Sequence, residues 1–177
     1  MLVDQQGRAL LMHTKRTLRG FTLVELMVGL AITVFLLLLV IPSASVYIVD
    51  SRIRAAAQAY YDGAQLARAE ALRRNAYVAL GMTDSNLGWK VTVGDTQIAS
   101  KAVESAANLT VQAEQETVTF DSVGRTPTGN AVTFKPTNAT CLADSGTQRC
   151  LRVVISQGGQ VRMCDPAIGE EGDNRKC

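Results

Sequence analysis

The sequence predicts an α+β fold in which one long N-terminal helix, its first half membrane-spanning, packs on a C-terminal antiparallel β-sheet domain. Three observations predict it. Residues 21–41 read FTLVELMVGLAITVFLLLLVI, an apolar run in which Glu25 is the one ionisable side chain. Beyond Pro42 apolar residues recur every three or four positions as far as Asn75, the spacing of one helix face. After Asn75 the pattern changes to short runs rich in Val, Thr and Ile, separated by Gly, Asp, Asn or Pro.

The 177 residues have room for one domain and an appendage. A composition of 47% hydrophobic and 19% charged residues is too apolar for a disordered chain and too polar for a multi-span membrane protein. The one histidine, His13, lies in the basic N-terminal stretch, so the remainder lacks the usual side chain for proton transfer near neutral pH or for zinc. Neither a GxSxG motif nor a Walker loop occurs. The chain is therefore expected not to be an enzyme and to need no metal or other cofactor. Residues 1–20 hold Arg8, Lys15, Arg16 and Arg19 against Asp4, a net of +3 within a total of +2, which leaves −1 for residues 21–177. Net charge thus argues for no polyanionic partner.

Residues 21–41 at about 1.5 Å per residue span roughly 30 Å, the thickness of a bilayer's hydrocarbon core. The flanking Lys15, Arg16 and Arg19 place the N-terminal side in the cytoplasm and the residues after 42 across the membrane. A cleaved secretory signal with Ser43-Ala44-Ser45 as its small-residue site is the rival reading. Its apolar region would exceed the roughly 7–15 residues of such signals and would contain a carboxylate. That carboxylate is the anomaly. An acidic side chain at depth costs on the order of 2.5 kcal/mol or more, so Glu25 has to reach the interface or meet a cation. The segment itself contains none.

Arg19-Gly20-Phe21-Thr22-Leu23-Val24-Glu25-Leu26, behind a basic leader and ahead of the apolar run, resembles the class III signal of type IV pilins and pseudopilins. The resemblance implies a type IV pilin-like fold and a leader, residues 1–20, that a prepilin peptidase cuts between Gly20 and Phe21. It further implies methylation of the new Phe21 amine, with Glu25 as the glutamate that meets the Phe21 amine of the adjacent subunit and sets the register of assembly. A buried carboxylate facing a cation is tolerated where a lone one is not. Met12 opens a shorter leader, MHTKRTLRG, of the commoner form, so Met1 and Met12 both stand as starts. Pro42 matches a proline common in pilins; it removes a backbone donor and is expected to kink or loosen the helix.

The amphipathic continuation over residues 42–75 sets Val46, Val49, Ile53, Ala56, Tyr60, Ala64, Ala67 and Ala71 on one face. Arg52, Arg54, Arg68, Arg73 and Arg74 lie mainly off it, and Asp50–Arg54 and Glu70–Arg74 have i,i+4 spacing. One helix over residues 21–75 is expected. Its closing stretch, Ala67-Arg68-Ala69-Glu70-Ala71-Leu72-Arg73-Arg74-Asn75, resembles the narrower GspH/FimT group of pseudopilins and minor pilins. Gly88-Trp89 and Phe120-Asp121-Ser122-Val123-Gly124-Arg125 fit the same group. Strands are expected at 77–82, 89–93, 96–99, 109–112, 117–120, 131–135, 151–156 and 160–164, making 76–177 a β-rich periplasmic domain. Gln157-Gly158-Gly159-Gln160 signals a tight hairpin between the last two.

Cys141, Cys150, Cys164 and Cys177 all follow the apolar run, on the side where oxidation is expected. With no CxxC pair and no nearby histidine they read as two disulfides rather than zinc ligands. Three connectivities are possible. Cys141–Cys150 with Cys164–Cys177 closes local loops, worth about 3 kcal/mol each in the chain-entropy model. Some members of the FimT group are associated with DNA uptake, which the resemblance ties to a GRxR motif. Gly159-Gln160-Val161-Arg162 has glutamine in place of the first arginine. Arg149, Arg152, Arg162, Arg175 and Lys176 are the candidate phosphate contacts, with Asp144, Asp165, Glu170, Glu171 and Asp173 among them. The expected function is that of a minor pilin or pseudopilin which initiates or joins assembly of a type IV pilus or a type II secretion pseudopilus. It would sit in the bacterial inner membrane as a single-pass protein. Its expected partners are other pilins or pseudopilins, the prepilin peptidase and the inner-membrane assembly platform. A DNA-binding receptor at a pilus tip is the alternative.

Overall fold

The structure, a computed structural model, describes residues 20–83, 88–102 and 108–177, with the backbone alone at 39–44. The expected leader, with both candidate starts and its cations, lies outside the described residues except for Gly20, and so does the Pro42 side chain. The chain divides into two units, residues 1–41 and 42–177, and α1 (Leu23–Arg74) has residues in both.

In the first unit the helix is apolar all round. Leu23 is 75%, Leu30 64% and Phe35 64% exposed, so this part of the helix leaves its apolar side chains uncovered by the rest of its unit. Among the described residues no helix is long and apolar enough to cross a membrane. The described side chains of the run end at Leu38, whereas the apolar sequence continues to Ile41.

In the second unit α1 turns a small-residue face inward: Ile53, Ala56, Ala57, Tyr60, Ala64, Ala67 and Ala71 are buried. Small side chains let the helix approach the strands closely. At Gly63 a Cβ would stand 2.7 Å from the Trp89 ring, so only glycine admits the indole there. Among the described residues eight strands follow: β1 (Val78–Met82), β2 (Trp89–Val93), β3 (Thr96–Lys101), β4 (Leu109–Ala113), β5 (Thr117–Phe120), β6 (Asn130–Pro136), β7 (Leu151–Ile155) and β8 (Val161–Cys164). They form two four-stranded sheets with orders β3-β2-β1-β5 and β4-β6-β7-β8, every pair antiparallel. Alternation along β5 and β6 points Val118, Phe120, Val132 and Phe134 into one core with Val91, Val153 and Ile155. The Tyr60 and Phe134 rings meet there at 6.1 Å between centroids.

Polar groups at the sheet junction are satisfied from within. Buried Asn130 accepts from the Gln115 N–H and donates to the Gln115 carbonyl, each at 3.0 Å, which fastens the β4–β5 connection to β6. Burial pushes the Tyr60 hydroxyl up to about 12, against a smaller downward pull from its hydrogen bond with Asn130. Two details depart from the sequence reading. A short 3-10 turn, η1 (Leu142–Asp144), lies inside the Cys141–Cys150 loop. Asp50 does not serve Arg54 as the helical spacing suggested: its carboxylate accepts the Arg149 backbone N–H at 3.3 Å, tying α1 to that loop.

Candidate functional site

Gly20, Phe21 and Thr22 precede α1 in no regular structure; a Cβ on Gly20 would meet nothing within 4 Å, and Phe21 is 85% exposed. Gly20 and Phe21 are thus both exposed. Thr22 then caps the helix. The Glu25 N–H donates to Thr22 Oγ1 at 3.2 Å, the Thr22 N–H donates to a Glu25 carboxylate oxygen at 3.5 Å, and the Leu26 N–H meets the Thr22 carbonyl at 3.2 Å. This reciprocal arrangement is a capping box, and it sets a negative charge where the helix dipole favours one. The sequence reading treated Glu25 as a charge with no local partner; Thr-x-x-Glu ahead of an apolar run is the signal that reveals its second role. Along one side of the same helix Phe21, Glu25, Leu26, Gly29, Leu30 and Thr33 line a shallow groove, with Thr33 Oγ1 donating to the Gly29 carbonyl at 2.8 Å.

The disulfides are Cys141–Cys150 and Cys164–Cys177, with Cα–Cα distances of 5.5 and 5.1 Å. The second folds the C-terminal tail back against β8. There Asp165 is buried, its N–H donates to the Arg175 carbonyl at 2.7 Å, and its carboxylate accepts the Ala167 N–H at 2.9 Å. Around this tail the structure places the five candidate phosphate contacts, and each is engaged by its own chain. Arg162 donates to the Lys176 and Cys177 carbonyls at 3.5 and 3.3 Å. Arg175 pairs with Asp173 at 2.7 Å, and its hydrogen bonds hold the Asp173 carboxyl down to about 2. Arg149 faces Asp165 at 3.8 Å, Arg152 donates to Thr133 Oγ1 at 3.1 Å, and Lys176 donates to the Gly169 carbonyl at 3.2 Å. This cluster holds down a tail. No group of three or more His, Cys, Asp or Glu side chains among the described residues is placed to hold a metal ion.

The glycine of Gly159-Gln160-Val161-Arg162 also serves the fold. Gly159 is buried with φ of +73°, and a Cβ on it would collide with the Gly124 carbonyl, itself at a residue with φ of +74°. Here the turn after β5 and the β7–β8 hairpin interlock. Asp121 accepts the Val123 and Arg125 N–H groups at 3.0 and 2.8 Å to shape the turn, and the Thr126 N–H donates to the Gln157 carbonyl at 3.0 Å.

The model of the type II transport protein GspH family matches residues 56–159, and that of the prokaryotic N-terminal methylation motif matches residues 15–41. No curated protein matches the sequence. Among solved structures the chain is similar to the type IV minor pilin FimU of Pseudomonas aeruginosa in two crystal forms. One aligns with a TM-score of 0.54 at 18% identity, covering 68% of this chain and 94% of that one. The other gives 0.51 at 18% identity, covering 67% and 97%. The minor pseudopilin EpsH from the type 2 secretion system of Vibrio cholerae aligns with a TM-score of 0.49 at 15% identity, over 67% of this chain and 99% of that one. The α-helix and two antiparallel sheets are a type IV pilin-like fold.

Proposed function

The chain belongs to the GspH family, whose model covers more than half of it, and from that premise we propose that it is a non-enzymatic minor pilin or pseudopilin. It is a structural subunit that initiates or joins assembly of a type IV pilus or a type II secretion pseudopilus. The observation that carries this reading is the union, in one chain, of an N-terminal methylation motif with a GspH domain. The subunit enters the inner membrane once through residues 21–41, with the domain on the periplasmic side. A prepilin peptidase removes the leader at Gly20, Phe21 receives the methyl group, and an assembly platform passes the subunit to other pilins or pseudopilins.

The chemistry of assembly then falls to Glu25. In the single chain its carboxylate is occupied by the cap on Thr22. Among packed helices it gains the protonated Phe21 amine of a neighbour, an attraction strengthened by the low dielectric. Glu25→Gln tests the charge by itself, because glutamine keeps a hydrogen-bond acceptor for the cap and loses the charge, whereas Glu25→Ala removes both. Chain recovered from membranes is expected to begin at methylated Phe21, and both variants should be processed but fail to enter filaments. A mass showing an intact leader or a start after Ser45 overturns the reading, as does normal assembly of the glutamine variant.

A further inference from the structure

The two disulfides close loops of different kinds. Cys141 and Cys150 are 8% and 2% exposed, and the loop between them is held by its own backbone. The Asp144 and Gly146 N–H groups donate to the Cys141 carbonyl at 2.9 and 2.8 Å, and the Leu142 N–H donates to the Gln148 carbonyl at 2.8 Å. The Arg149 N–H, bound to Asp50 at 3.3 Å, adds a tie to α1. Cys164–Cys177 is built otherwise. Cys164, at the end of β8, is 2% exposed, whereas Cys177 is the one cysteine of the four that is exposed. The end of the chain is held beside β8 by the Asp165 N–H, which donates to the Arg175 carbonyl at 2.7 Å, and by Arg162, which reaches the Lys176 and Cys177 carbonyls at 3.5 and 3.3 Å. Arg162 is itself exposed, as is most of the tail between the two cysteines.

Thiol–disulfide exchange needs a thiolate to reach one sulfur of the bridge, so access decides which bridge exchanges. We propose that Cys164–Cys177 is a reversible redox clasp on the C-terminal tail, opened by a dithiol through Cys177 while Cys141–Cys150 stays closed. One thiolate of the dithiol attacks the Cys177 sulfur. A mixed disulfide forms, the bond to Cys164 breaks, and Cys164 leaves as a thiolate that takes up a proton. The second thiol of the reductant then gives up its proton and attacks its partner sulfur in the mixed disulfide, which releases Cys177 as a thiolate, protonated in turn. The bridge gains two electrons and two protons, and the dithiol, now a disulfide, loses them. Opening removes the covalent closure and leaves Arg162 and the Asp165–Arg175 hydrogen bond to keep the end of the chain near Cys164. Arg162 is thus a positioning residue for reclosure, when an oxidising disulfide reverses the two steps. The clasp goes beyond the assembly reading and does not depend on it.

The test treats the full-length chain, purified in detergent, with dithiothreitol, traps free thiols over time with N-ethylmaleimide and maps them by peptide mass. Cys164 and Cys177 are expected to label together, faster than Cys141 and Cys150 by about tenfold or more. Protein opened at that bridge alone should be cut by protease within residues 166–176 while its far-ultraviolet circular dichroism stays that of the oxidised chain. Arg162→Ala should open no more slowly than the parent and reclose several-fold more slowly with oxidised glutathione. Labelling of Cys141 and Cys150 first overturns the clasp, and so does labelling of all four at one rate, the mark of reduction through global unfolding. A tail that stays protected after selective opening, or parent-like reclosure in Arg162→Ala, overturns it as well. Every readout is internal to the purified chain, so an unprocessed leader sinks the assembly reading and leaves the clasp untouched.

Discussion

Gly159 shows how a residue read for one purpose serves another. In the sequence its neighbourhood signals a turn and stands close to an arginine-bearing motif; in the structure its missing side chain makes room for the Gly124 carbonyl. Two costs would add in Gly159→Ala, the positive φ and the collision, for an expected loss of about 2–4 kcal/mol in urea unfolding. Gln160 beside it is exposed, so Gln160→Arg, which writes the arginine back into the motif, should change stability by no more than about 0.5 kcal/mol. Equal effects from the two substitutions would refute the packing role. The glycine's need for a turn was legible from composition. Its need for empty space was not, because Gly124 lies 35 positions earlier in the chain and only tertiary contact joins them.

At the level of the helix, the reading of 21–75 and the observed Leu23–Arg74 differ only at the ends, since a strong 3.6-residue period survives without knowledge of the fold. What the period could not show is which charged groups turn elsewhere, and Asp50 serves Arg149 rather than Arg54 for that reason. Nor could strand propensities show two sheets in place of one, because strand order depends on pairings distant in sequence. The helix end is the exception that spacing did reveal. Glu70 meets both Arg73 and Arg74 at 2.7 Å, and hydrogen bonds from Arg73 and then Arg74 hold its carboxyl at about 2. A depressed carboxyl stabilises the folded state above its unfolded value near 4.5 and ceases to do so as pH falls through about 2. Unfolding measured between these pH values should therefore show a smaller acid-dependent loss in Glu70→Gln than in the parent chain. Identical pH profiles would mean that the pairs are fully screened by solvent.

For the molecule as a whole, the question raised by the arginines of the tail is whether they face a phosphate or hold the chain's own end. Phosphate binding draws on cations free to release counterions, and its strength falls steeply with salt. Here Arg162 donates to the last two carbonyls, Arg175 is spent on Asp173, and Arg149 faces buried Asp165. The Cys164–Cys177 bridge, spanning 13 positions, reinforces the same closure by about 3 kcal/mol in the chain-entropy model. A phosphate backbone would have to displace these partners one by one. The local pairing of the cysteines was legible because short loops favour it, but the pairing of the arginines was not, since it depends on where the bridge lays the tail. Arg162→Ala should thus speed proteolysis within residues 166–176 and leave any salt-dependent retardation of DNA by the full-length chain unchanged, and the paired Cys164→Ser, Cys177→Ser variant should show the same proteolysis more strongly. A tail that stays protected in Arg162→Ala while DNA retardation disappears would reverse the assignment, making Arg162 a ligand-binding residue and its contacts with Lys176 and Cys177 incidental.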